Sequence, residues 1–132
     1  PEEAEELHPL LRQAGIDLIT LLAPTTGAQR SAQLAAAGEG FLYYVSMTGV
    51  TGSKQVDAAA IAAAVSELKA QSPVPVAVGF GVSTPADAAA VAGIADAVVV
   101  GSALVKLIAE KSASPDLLDA VGTFARALKK AI

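Results

Sequence analysis

The residues of this chain best placed to do chemistry are glycines and hydroxyls rather than acids and bases. Gly79 and Gly81 sit in "VGFGVS", Gly101 and Ser102 follow "AVVV", and residues 48–53 read "TGVTGS". Glycine lets a backbone approach a bound group closely and present its N–H donors. Where "AVVV" runs into a helix at Gly101–Ser102, the first N–H groups of that helix and the positive end of its dipole favour an anion. Gly79 and Gly81 end the preceding apolar run. Each glycine alone would be no more than a tight turn. Two neighbouring strand ends built this way match the phosphate site of many barrel enzymes. The pattern indicates a small phosphorylated ligand without indicating a reaction.

General acid–base chemistry needs a titratable group beside the reacting atom. None of the thirteen Asp and Glu residues lies directly at the carboxyl end of an expected strand, and Asp17 and Asp96 lie at the opposite ends, where residues serve stability. Lys54 is the one charged residue of the long segment 46–56. Alternation along "FLYYV" places Phe41, Tyr43 and Val45 on one face and Leu42 and Tyr44 on the other, so Tyr43 is either a packed core residue or one reaching towards a ligand. No cysteine is present, which excludes disulfides, thiolate catalysis and cysteine-ligated metals. The single histidine, His8, lies in an acidic helical start without clustered partners, so a surface position and no metal site are expected.

The elements that must position these residues follow from period and punctuation. Residues 2–14 carry Leu7, Leu10 and Leu11 on one helical stripe, and Gly15 suits the helix end. "IDLITLL", residues 16–22, reads as a strand; Pro24 ends it, and Thr25 or Thr26 can cap a helix over about 27–37. Residues 41–46 form a second strand and 57–71 a helix marked by Ile61, Val65 and Leu68. "VPVAV", residues 74–78, is a continuous apolar run suited to a parallel sheet. "STPAD" then starts a helix, with Ser83 or Thr84 as cap, Pro85 in the first position and Asp87 in the first turn. Residues 97–100 make a fourth strand, and a helix from Gly101–Ser102 and a last one after Ser114–Pro115–Asp116 complete the chain. The alternation predicts a parallel sheet with right-handed crossovers. Four strands in 132 residues fit either half of a (βα)8 barrel or a small doubly wound sheet.

Composition agrees with one globular domain over 1–132: 53% apolar residues, 17% charged and a net charge of −4. No Lys/Arg cluster suggests nucleic acid as a partner. No uncharged apolar run reaches the length of a membrane helix, so no membrane association and a cytoplasmic location are expected.

In this order and spacing, "YYVSMTGVTG", "VPVAVGFGVSTP" and "ADAVVVGSALV", with "PEEAEEL" and "LLAPTT" before them, resemble the C-terminal half of the tryptophan synthase alpha subunit. The resemblance runs over nearly the whole chain. It implies an α/β fold of the TIM (βα)8 barrel family, with helix 4 to helix 8 present and the N-terminal half absent. It implies retro-aldol cleavage of indole-3-glycerol phosphate to indole and glyceraldehyde 3-phosphate. Gly52, Gly81, Gly101 and Ser102 match the family's phosphate binders. Leu22, Phe80 and Thr51 match residues of the substrate pocket or its closing loop, and Tyr43 a supporting active-site tyrosine. The family's two catalytic carboxylates belong to the absent half, so the 132 residues alone are expected to hold phosphate and to lack turnover. No cofactor is implied for this chain; pyridoxal phosphate belongs to the beta subunit, the partner implied for the intact enzyme. Two other readings compete. One is another phosphate-binding barrel enzyme, which would place an Asp, Cys, Lys or Glu at a strand end. The other is a non-enzymatic half-barrel that pairs with itself or with its N-terminal half through exposed edges.

Overall fold

The computed structural model describes residues 6–46, 57–79 and 81–132. Helix α1 (Leu7–Gln13) leads into strand β1 (Thr20–Leu22). Three further strand–helix units alternate: α2 (Ala28–Ala36), β2 (Leu42–Val45), α3 (Ala58–Gln71), β3 (Val76–Gly79), α4 (Pro85–Ala92) and β4 (Ala97–Val98), closed by α5 (Ser102–Lys111) and α6 (Leu117–Ala131). The four strands are parallel and lie in the order β1-β2-β3-β4. This order separates the two architectures that the sequence left open. A doubly wound sheet reverses its strand order at a switch point. Strands added always on the same side, through right-handed crossovers, place their helices on one face.

That covered face holds the core. Leu22, Leu42, Tyr44, Val76 and Val78 from the strands pack with Ala35 of α2, Ile61, Val65 and Leu68 of α3, and Ala88 and Val91 of α4. Alternation assigns the opposite face to Leu21, Tyr43, Ala77 and Ala97, which are register partners across the sheet. Leu21 is 61% exposed. The sheet therefore has one helix-covered face and one open apolar face, as half a barrel requires. Leu7 and Leu10 of α1, Val105 and Ile108 of α5, and Leu118 of α6 are exposed as well.

Several local expectations are corrected. The first strand begins at Thr20 rather than at residue 16. Its approach is held differently: the Leu18 N–H donates to the Glu39 carboxylate at 3.3 Å instead of to β2. Glu39 also meets Arg12 at 2.6 Å and His8 at 3.2 Å. The Arg12 hydrogen bond, helped by Leu18, holds its carboxyl below the ordinary value of 4.5. Neither Thr25 nor Thr26 caps α2, whose N-cap is Gly27. The Thr26 hydroxyl accepts from the Ala23 N–H at 3.1 Å and closes the turn after β1. The fourth strand ends at Val98 rather than at residue 100, although the Val99 N–H still donates to the Val78 carbonyl at 2.9 Å. Asp96, just before β4, accepts from the Val76 N–H at 2.9 Å and pairs with Lys69 at 2.8 Å. That fastens the amino-terminal end of the sheet.

Candidate functional site

The carboxyl ends of the four strands bring together Ala23, Ser46, Gly79, Gly81 and Gly101–Ser102. Gly81 has φ +86°, a conformation that favours glycine. Ser46 ties β2 to β3 at this end: its N–H and its hydroxyl both donate to the Gly79 carbonyl, at 3.1 and 2.9 Å. Tyr43 lies on the open face with its ring end over Gly79. A Cβ at Gly79 would stand 2.8 Å from Tyr43 Cζ, nearer still to its hydroxyl, and 3.0 Å from Val99 Cβ. Here glycine is required by packing inside the chain. Burial raises the Tyr43 phenol above its ordinary value of 10.0, so at neutral pH it is an uncharged hydroxyl.

The helix starts that follow β3 and β4 differ in a way that decides which of the two can take an anion. At α4 the start is already satisfied. Thr84 caps it, accepting from the Asp87 N–H at 3.1 Å, and the Asp87 carboxylate accepts from the Thr84 N–H at 2.9 Å, a complete capping box. Asp87 is buried, which by itself would raise its pKa. Hydrogen bonds from Ser83 and Thr84 outweigh this and hold it below 3.8. A buried, ionised carboxylate thus occupies the positive end of α4. At α5 the N-cap is Gly101, no side chain caps the helix, and no acid lies in its first turn. A Cβ at Gly101 would meet nothing within 4 Å. Packing does not demand glycine there, and the backbone is open to an approaching group. An anion at this end is favoured at α5 and repelled at α4.

Gly81, Gly101, Ser102 and Tyr43 therefore converge on the strand ends expected for them. Leu22 does not lie on the open face. It is 2% exposed and packs with Leu42 and Tyr44 under the helices. The residue that β1 presents to the open face at the level of Tyr43 is Leu21. Thr51, Gly52 and Phe80 lie outside the described residues. Sequence reasoning missed the second role of Ser46 and the reach of Asp87, which stands on the same side of the sheet as the site. The "STPAD" spacing signals the capping box; nothing in the sequence signals the Ser46 bridge. Among the described residues no cluster of three or more His, Asp or Glu could hold a metal ion, and no helix is long and apolar enough to cross a membrane.

Four parallel strands in sequence order, with their helices on one face, define half of a (βα)8 barrel. The family model described as tryptophan synthase alpha chain matches residues 1–132. The tryptophan synthase alpha chain of Geobacter sp. (strain M21) is 49% identical over the whole of this chain, which spans 49% of that relative. That of Novosphingobium aromaticivorans is 54% identical over 113 residues, 86% of this chain and 42% of the relative. A solved tryptophan synthase subunit alpha from Legionella pneumophila superposes with a TM-score of 0.82 at 38% identity, over 100% of this chain and 48% of that one. A solved Mycobacterium tuberculosis tryptophan synthase does so with a TM-score of 0.83 at 35% identity, again over 100% and 48%. The chain belongs to the tryptophan synthase alpha chain family. It spans about half the length of the relatives it matches, and its fold is the corresponding half of their barrel.

Proposed function

We propose that these residues form the phosphate-holding C-terminal half of an alpha-type carbon–carbon lyase, which cleaves indole-3-glycerol phosphate to indole and glyceraldehyde 3-phosphate. The observation that carries this reading is the contrast between the two helix starts: α4 is closed by its own carboxylate, and α5 is bare beside Gly101. In this reading the backbone at Gly81, Gly101 and Ser102, with Gly52, holds the substrate phosphate. The donors are main-chain N–H groups, so binding is insensitive to pH while the phosphate remains charged. Tyr43 lies against the substrate as a neutral hydroxyl, and Phe80 and Thr51 contribute to the pocket and its closing loop. Acid and base come from the other half of the barrel. Retro-aldol cleavage needs a proton delivered to the departing indole carbon and another removed from the glycerol hydroxyl. None of the described carboxylates directly follows a strand, where either task would be done. The partner of the whole enzyme is a beta subunit, which holds the pyridoxal phosphate, and the location is the cytoplasm.

The test is a titration of the 132-residue chain with glycerol 3-phosphate and, separately, with glycerol. The phosphate ester is expected to bind and glycerol is not. Indole release from indole-3-glycerol phosphate should stay at background until the complementary half is added. Turnover by the chain alone at the rate of a full-length relative would overturn the reading, as would indifference to the phosphate.

One observation also supports self-association of the isolated chain: an open apolar face with unpaired edges at β1 and β4. Four strands from each of two copies, related by a twofold along the barrel axis, close an eight-stranded parallel barrel and leave no edge. Sedimentation should show a dimer, or a one-to-one complex when the other half is present. A monomer at high concentration would count against this.

A further inference from the structure

The geometry points to Asp87 as a positioning residue for the phosphate-binding turn, a role beyond capping α4. The inference rests on the phosphate reading above. A capping box needs two reciprocal bonds, and Thr84 and Asp87 make both. Asp87 makes two more. Its Oδ2 also accepts from the Ser83 N–H and from the Ser83 hydroxyl, each at 3.0 Å. Those donors lie upstream of the helix, towards Gly81, and add nothing to the helix itself.

The turn from Gly81 to Thr84 is consequently held at successive residues. Val82 is buried in the core, 4% exposed. Ser83 is gripped through two donors and Thr84 through a third, all on one carboxylate oxygen. Gly81, at φ +86°, is the pivot just before them. With both following residues fixed, the orientation of the Gly81 peptide is set before any ligand arrives, which lowers the ordering cost of binding. The buried charge also acts at a distance. It fills the dipole end of α4, so of the two neighbouring starts after β3 and β4 the one open to an anion is that of α5.

The experiment uses a full-length alpha chain in which this segment is joined to the remaining half of the Geobacter relative. Asp87→Ala is expected to raise KM for indole-3-glycerol phosphate about tenfold, the weight of one weakened charge-assisted hydrogen bond. The inhibition constant of inorganic phosphate should rise in parallel, while kcat stays within about twofold. Asp87→Asn should recover part of the loss in both constants, because its amide oxygen, with two lone pairs, can accept two of the three donors but carries no charge. Val91→Ala, a cavity in the same helix, should lower the melting temperature and leave both constants unchanged. An unchanged KM in Asp87→Ala, or an equal rise in Val91→Ala, would overturn the inference. So would failure of the Asn variant to rescue. If the parent chimera itself ignores inorganic phosphate, the phosphate reading falls, and this inference with it.

Discussion

Gly79→Ala probes the contact that ties the open face to the strand end. The new methyl would stand 2.8 Å from Tyr43 Cζ and 3.0 Å from Val99 Cβ. Carbon atoms pack best at about 3.5–4.0 Å, so the ring end must withdraw by roughly an ångström. Val99 cannot yield as easily, because its Cβ is fixed to the backbone that bonds Val78. Leu21 and Ala77 flank Tyr43 in register, so the ring is pushed off the sheet into the volume the ligand would use. Overpacking of this kind costs about 1–3 kcal/mol. Tyr43→Ala removes the obstacle, and in that background the nearest contact of the same methyl is Val99. Urea unfolding of the parent, both single variants and the double variant measures the coupling, expected at about 1 kcal/mol or more in the compensating sense. The chain has two tyrosines and no tryptophan, so tyrosine emission reports on this region directly. Costs that add to within about 0.5 kcal/mol would refute the contact.

Other perturbations test the scaffold. Thr84→Ala should cost about 1 kcal/mol in urea unfolding, because it removes the acceptor for the Asp87 N–H at α4. Leu42→Ala, at a fully buried position between α2 and α3, should cost about 2–5 kcal/mol. Asp96 is held below 3.8 by its Lys69 hydrogen bond and then by the Val76 N–H, and Glu39 below 4.5 by Arg12. A carboxylate with a depressed folded-state pKa adds stability above its ordinary value and loses it as pH falls through the folded value. The urea midpoint should therefore hold from pH 7 to about 5 and decline below about 4. Asp96→Asn should lower the neutral-pH midpoint and shrink that decline; an unchanged acid slope would show that the Lys69 pair carries no linkage.

What the sequence makes legible, and what it hides, divides by the range of the interactions concerned. "STPAD" announces the start of α4 because a capping box is complete within four residues, and the structure forms it. "VPVAV" announces an interior strand of a parallel sheet, and all four residues of β3 are buried. By contrast, the late start of β1 depends on a hydrogen bond from Leu18 to Glu39, which no local pattern contains. The same holds for Leu22. Likeness to a family assigns it to a pocket, but parity with Tyr44 and Val78 across the register turns it into the core. The site follows this division too. The lack of acids and bases at strand ends can be read from residue types alone, since a side chain that is absent cannot be supplied by folding. The proposed phosphate turn is marked in the sequence only by its glycines, because its working groups are main-chain N–H donors common to nearly every residue. What distinguishes Gly101 from any other glycine is that its neighbouring helix lacks an acid, while the helix one unit earlier has one, Asp87, folded into its start. Both facts are written in the chain. Only the parallel order of β3 and β4 sets them side by side, so that of these two neighbouring helix starts one is closed and one is bare.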